Sequence, residues 1–318
     1  MNNKAIPPVD ADLVFVCGAL RSGTTLLRLM IEGHPALSNP GEMDFLFEPP
    51  PQKNGADDMA AYEAELSHNR VFVAQELKFS KGMEYEPQIR DFIRQLRKPG
   101  KRLTINIHRH FDRIPSIFPN ARYVHLLRDP RDAAKSAIGM GWAGNVFHGV
   151  DHWINSERSF EKLAERTAPD RVFELKNEAL IKEPRKSLSS LCEFLGVSYD
   201  EEMLGYPSRS TYGPPDEKLI DQWRKGLSPR ELGLIEGKAG RMLVEKGYSP
   251  SGATPISPTR IERAMIRLDN SWGRWRFSAR RNGALIATLD LLSKAIRIKP
   301  LATFIRRRKA ANESRHLK

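Results

Sequence analysis

Residues 18–25, Gly-Ala-Leu-Arg-Ser-Gly-Thr-Thr, gather one cation, three hydroxyls and two glycines within eight positions. An apolar run at 13–17 precedes them, and a helix-patterned run at 26–31 follows. Strand, glycine loop and helix in that order point backbone N–H groups and a helix N-terminus at an anion. Against the P-loop template G-x-x-x-x-G-K-S/T, Gly18 and Gly23 fit the glycines and Thr25 fits the hydroxyl, but Thr24 stands at the lysine position. In nucleotide hydrolases and kinases that lysine reaches the β- and γ-phosphates while the hydroxyl holds Mg²⁺. Without it the loop is poorly equipped for γ-phosphoryl transfer. Its cation is Arg21, beside the hydroxyls of Ser22, Thr24 and Thr25, and this set suits a compact anion with no bridging metal.

A second cluster lies about 107 residues further on. Residues 123–138 read YVHLLRDPRDAAKSAI. Residues 123–127 form a short buried-strand run, which puts Arg128 at a strand's carboxyl end, where open α/β sheets place ligand groups. Asp129 suits an N-cap and Pro130 a first helical position, so a helix should begin there. Ser136 then falls about two turns into that helix. A guanidinium plus a neutral hydroxyl donor is a fitting grip for a phosphate dianion.

The two clusters together resemble the sulfotransferases that use 3′-phosphoadenosine 5′-phosphosulfate (PAPS). GALRSGTTLL is similar to their 5′-phosphosulfate loop, in the Arg-Ser-Gly-Thr-Thr form closest to tyrosylprotein sulfotransferases and their bacterial relatives. The resemblance implies that Gly18, Arg21, Ser22, Gly23, Thr24 and Thr25 hold the 5′ end of PAPS, and that Arg128 and Ser136 grip its 3′-phosphate. Residues 173–204 also resemble the family segment that follows the second cluster. Trp223-Arg224-Lys225-Gly226 resembles the late Arg-Lys-Gly element of cytosolic sulfotransferases, which adds Arg224 and Lys225 as 3′-phosphate contacts.

Sulfuryl transfer to an alcohol needs positioned donors for developing charge and benefits from a base on the acceptor hydroxyl. Glu42, 21 residues after Arg21, matches the catalytic glutamate of the tyrosylprotein-type enzymes, with Asp44 and Glu48 as rivals. Many relatives carry a lysine between the two clusters that stabilises the bridging oxygen. This chain reads INIHRHFDRIPSIFPNARY there, at 105–123, with no lysine, so His108, Arg109 or His110 is left to supply the cation or proton donor. No metal is implied. The acceptor is any hydroxyl bearer: a glycan, a glycolipid, a small alcohol or tyrosine. The competing readings are a P-loop nucleotide kinase or NTPase, and a non-catalytic membrane-peripheral nucleotide-binding protein.

These residues need a frame, and the pattern supplies one. Alternating strand and helix signals over the first 250 residues predict an α/β fold. The resemblance makes it a P-loop-type three-layer sandwich, a central parallel sheet flanked by helices. Further helices are expected near 59–67, 87–98 and 184–195, the last with Leu188, Leu191, Cys192 and Leu195 as its core stripe, and strands at 103–107 and 172–175. Residues 139–153, rich in Gly, Trp, Asn and His, read as a loop lining the acceptor pocket. The expected division is a sulfotransferase domain at 8–250, a linker at 251–259 and a basic amphipathic helical tail at 260–318.

Charge separates the tail from the rest. The chain of 318 residues carries a net charge of +12, and residues 260–318 hold 16 Lys and Arg against 4 Asp and Glu, leaving 35 of each sign elsewhere. Leu285, Leu289, Leu292 and Ile296 fall on one helical face, with Trp272, Trp275 and Phe277 ahead of them and Pro300 and the run Arg306-Arg307-Arg308-Lys309 behind. That pattern fits either an anionic membrane surface or a helix packed on the domain with a solvated basic face, and both better than a nucleic acid, for which no module accompanies the charge. Two cysteines, Cys17 and Cys192, read as reduced packing thiols. With no signal peptide or membrane-spanning run evident, a cytoplasmic protein is expected, peripheral on the cytoplasmic face of a membrane.

Overall fold

The computed structural model describes residue 10 and residues 12–296. These fall into two units: one takes the chain up to Asp129 together with Trp153–Gln222, the other Pro130–His152 and the chain from Trp223 onward. Pro300 and the Arg306–Lys309 run lie outside the described residues.

The first unit is built on a five-stranded parallel sheet of β1 (Val14–Gly18), β2 (Leu37–Ser38), β3 (Arg102–Ile107), β4 (Arg122–Leu127) and β5 (Val172–Lys176), in the order β2-β3-β1-β4-β5. β1 is central, with Cys17 opposite Ile107 of β3 and Gly18 opposite Leu126 of β4. Its alternation splits the core. Phe15 and Cys17 join a cluster with Ile89, Phe92, Ile105 and Tyr123, while Val14 and Val16 join Leu27, Ile31, Leu126, Leu188 and Leu191 on the other face. A strand buried on both faces reads as continuous apolar sequence, and residues 13–17 do so.

Helices cover both faces. α1 (Thr24–Gly33), α2 (Met59–Leu66), α3 (Tyr85–Leu96) and α7 (Pro184–Leu195) form where the apolar spacing places them. On α3 the buried side chains include Ile89, Phe92, Ile93 and Leu96, and on α7 Leu188, Leu191, Cys192 and Leu195. Both cysteines are buried free thiols. A short helix, α6 (Asn177–Lys182), follows β5 directly.

α4 (Pro130–Gly139) begins at the proline that the sequence marks. α5 (Val146–Ala164) corrects the expected loop at 139–153, of which only 140–145 lies outside helices. Val146, Val150, Trp153 and Ile154 are buried at helical spacing. Gly149, which reads as a loop residue, instead allows close packing: a Cβ there would stand 2.6 Å from the Ala134 carbonyl oxygen.

The second unit also contains α8 (Trp223–Gly226), α9 (Pro229–Ala239), α10 (Arg260–Asn282) and α11 (Ala284–Ile296). Residues 249–258 are irregular, yet the Ile256 amide donates to the Gly233 carbonyl of α9 at 2.8 Å. α10 starts on a capping box between Thr259 and Glu262. On α11 the buried described side chains are Ala287 and Ser293, whereas Leu285 and Leu292 of the expected stripe are exposed.

Candidate active site

Adjacent parallel strands deliver their carboxyl ends side by side, and the first unit's candidate residues follow those ends. The 19–23 loop leaves β1, His108 follows β3, Arg128 follows β4, and Asn177 follows β5. Glu42 is held to the same edge by a parallel bridge to Asn106. This is the crevice in which open α/β sheets bind ligands.

The loop is tightly folded. Ser22 donates its amide to the Ala19 carbonyl at 3.0 Å. Arg21 and Gly23 both take left-handed backbone conformations, with φ of 73° and 92°. At Gly23 a Cβ would also come within 2.0 Å of Asn177 Oδ1, so both the conformation and the close neighbour demand glycine. The α1 N-terminus begins at once with Thr24.

The Arg128 guanidinium reaches the backbone of this loop. Arg128 Nη1 donates to the Arg21 carbonyl at 2.8 Å and Nη2 to the Leu219 carbonyl at 3.2 Å. Burial, and then the charge of neighbouring Arg128, hold the Arg21 guanidinium below its ordinary pKa. Like charges held together in a partly buried loop favour a bound anion. Two buried polar atoms point the same way. Ser22 Oγ and Arg128 Nε have no hydrogen-bond partner among the described residues. Both are donors, as a bound anion requires.

His108 is the hub of the acid–base set. Its amide donates to Asp44 Oδ1 at 2.7 Å and its Nδ1 to Asp44 Oδ2 at 3.0 Å. Its Nε2 lies 3.1 Å from Thr24 Oγ1 of the loop and 3.8 Å from Glu42 Oε1. Burial opposes a charge on the imidazole, but the Asp44 hydrogen bond, the Asp44 charge and then Glu42 outweigh it, and the His108 pKa is raised. Asp44 responds in the opposite sense: burial alone would raise its pKa, while the His108 hydrogen bond and charge lower it. Each partner thus stabilises the charged form of the other. Glu42 keeps half of its side chain in solvent.

Arg109 points elsewhere: its exposed guanidinium pairs with Glu48. In the second unit Ser136 sits partly buried on α4. α8 docks on that same helix. The Trp223 amide donates to Asp132 Oδ1 at 2.8 Å, and the guanidiniums of Arg131 and Arg224 lie 3.7 and 4.3 Å from its ring. Exposed Arg224 and Lys225 are thereby tied to the helix that carries Ser136.

The model of the Sulfotransferase family matches residues 13–201, more than half of the chain. The chain belongs to the sulfotransferase family. Among its relatives is protein-tyrosine sulfotransferase 2 of Gallus gallus, to which this sulfotransferase is 24% identical over 280 residues, 77% of this chain and 72% of that one. An uncharacterized protein of Aquifex aeolicus is 25% identical over 227 residues, 67% of this chain but only 29% of that protein. The sulfotransferase fold is shared with the sulfotransferase domain of the Synechococcus PCC 7002 olefin synthase (TM-score 0.54, 22% identity, 72% of this chain and 94% of that one). It is shared equally with the sulfotransferase domain of the curacin biosynthetic pathway (TM-score 0.56, 20% identity, 74% and 97%).

Several residues that brace the candidate site escape a reading by motif. Asn106 Nδ2 donates to the Thr24 carbonyl at 3.1 Å and Asn39 Nδ2 to Asn106 Oδ1 at 2.9 Å, tying β3 to the start of α1. Glu178 Oε1 accepts the Asp129 amide at 2.9 Å beside Arg128. The one signal for Asn106 is its place in the strand run LTINI, where a polar residue interrupts a strand buried on both faces.

Proposed function

We propose that this sulfotransferase moves a sulfuryl group from PAPS to a hydroxyl acceptor by in-line displacement. PAPS supplies the activated sulfuryl group and departs as 3′-phosphoadenosine 5′-phosphate. The observation that carries the reading is the pair of guanidiniums, Arg21 and Arg128, at a glycine loop whose buried Ser22 hydroxyl has no partner among the described residues. The loop residues Gly18, Arg21, Ser22, Gly23, Thr24 and Thr25 would hold the 5′-phosphosulfate, and Arg128, Ser136, Arg224 and Lys225 the 3′-phosphate.

Glu42 takes the acceptor's proton. His108, charged and oriented by Asp44, stands in for the absent lysine, donating from Nε2 towards the Thr24 hydroxyl and the reacting oxygens. Its buried, hydrogen-bonded position supports it over Arg109, which is engaged with Glu48 at the surface. A nucleotide kinase reading is not favoured, because Thr24 occupies the position where γ-phosphoryl transfer needs lysine. The acceptor is a glycan, a glycolipid, a small alcohol or protein tyrosine, and the enzyme is proposed to act in the cytoplasm with its basic tail on an anionic membrane.

The test is a screen with labelled PAPS over cell extracts, with products identified by mass. Native protein should label a hydroxyl compound. Glu42→Gln should lower turnover of that compound by roughly 10²–10⁴ while leaving nucleotide affinity nearly intact. Equal labelling by both proteins would remove Glu42 from the role of base.

A further inference from the structure

Helix α10 is anchored along one face and bare along the opposite one. Ile266, Asn270, Gly273 and Phe277 recur at steps of three and four and meet the 141–145 loop of their own unit. The Gly144 amide donates to Asn270 Oδ1 at 2.7 Å and Asn145 Nδ2 to the Ile266 carbonyl at 2.8 Å. Phe277 packs against Gly141. On the other side Ile261, Met265, Leu268 and Trp272 follow the same steps and are 75, 62, 73 and 57% exposed. Single exposed apolar residues are ordinary, but an unbroken row of four large ones along a helix marks a contact surface. Trp272 stacks on Trp275, whose indole N–H donates to Thr288 Oγ1 of α11 at 3.3 Å, bracing the end of the row.

We propose that this row is the surface by which the protein lies on an anionic lipid bilayer. Ile261, Met265, Leu268 and Trp272 enter the boundary between headgroups and acyl chains. The inference rests on the membrane reading given above and relocates its contact from the leucines of α11 to α10.

Charge selects the occupant. α10 carries seven arginines against Glu262 and Asp269, and Glu262 is engaged in the capping box. At about 100° per residue, Arg260 and Arg267 flank the row on one side and Arg276 and Arg280 on the other. A second copy docked on the row would bring the same arginines to the same seam. Residues 297–318, with eight basic residues and one acidic, carry the same sign. An anionic leaflet has the opposite sign and gains from each nearby arginine. A cleft of about 710 Å³, lined by Ile138, Gly273 and Phe277 with Arg276, Arg280 and Arg281, adds a place of matching chemistry for an anionic amphiphile's headgroup.

The experiment is flotation of the full chain with vesicles of phosphatidylcholine alone or mixed with phosphatidylglycerol, neither donor nor acceptor being present. Native protein should float only with phosphatidylglycerol. Met265→Gln combined with Leu268→Gln should bind at least about tenfold more weakly, with an unchanged circular dichroism spectrum, because interfacial binding scales with buried apolar area. Arg260→Gln combined with Arg267→Gln should weaken binding and flatten its dependence on salt. If native protein fails to float, the inference and the membrane reading fall together. If native and double-glutamine proteins float equally, the row is not the contact although membrane binding stands. A native dimer that the glutamine pair dissolves would make the row a seam between copies and overturn the proposal.

Discussion

The His108–Asp44 pair gives the site a pH signature. The raised pKa of folded His108 means its stabilising contribution is complete below the unfolded value and is lost as pH rises through the folded one. The lowered pKa of Asp44 acts in the other direction: its contribution is present above the unfolded value and is lost as pH falls through the folded one. Turnover that needs the imidazolium should therefore decline on the alkaline side. Asp44→Asn removes the partner that raises His108, so the alkaline limb of the kcat profile should move to lower pH, and an unmoved limb would assign that limb to another group. The strand–loop–helix order around Gly18 and Gly23 was legible from residue types because its signals are local. The proposed choice of His108 over Arg109 and His110 was not, because it rests on Asp44 and Glu42, which lie more than sixty residues earlier in the chain. Arg21→Ala or Arg128→Ala should each weaken 3′-phosphoadenosine 5′-phosphate by about 2–4 kcal/mol in calorimetry, the cost of deleting a charge-assisted contact.

Elements with a strong apolar period came through from sequence almost intact. α7 spans Pro184–Leu195 as its period indicates, and its stripe is fully buried. Leu191→Ala should lower unfolding stability by about 2–5 kcal/mol, read as a shift of the denaturation midpoint. The start of α5 was hidden because Gly149 and the polar residues around it resemble a loop, while the reason for glycine, the Ala134 carbonyl, lies on another helix. The exposed row of α10 was hidden for a different reason. Periodicity reveals an apolar face but not whether something covers it, and on α11 two of the leucines chosen for their period, Leu285 and Leu292, are exposed. Gly23→Ala tests the loop as an element: its φ of 92° and the abutting Asn177 should cost nucleotide binding far more than global stability. A loss confined to thermal stability would deny the loop that role.

At the scale of the molecule, the excess charge and the chemistry occupy different parts of the chain. The first 259 residues are neutral overall and contain every proposed site residue, while residues 260–318 carry the whole +12. Among the described residues no helix is long and apolar enough to cross a membrane, and the proposed contact of the tail with lipid is a surface one. The donor site and the tail therefore stand or fall separately. The claim on which the account depends is that this glycine loop receives a phosphosulfate nucleotide rather than a metal-bound triphosphate. Calorimetric titration of the full chain settles it, with 3′-phosphoadenosine 5′-phosphate in the presence of a chelator and, separately, with ATP and Mg²⁺. The account predicts saturable binding of the first without metal, lost in Arg21→Ala and Arg128→Ala, and negligible binding of the second. Tighter binding of ATP·Mg²⁺, or 3′-phosphoadenosine 5′-phosphate affinity unchanged in both variants, would contradict it.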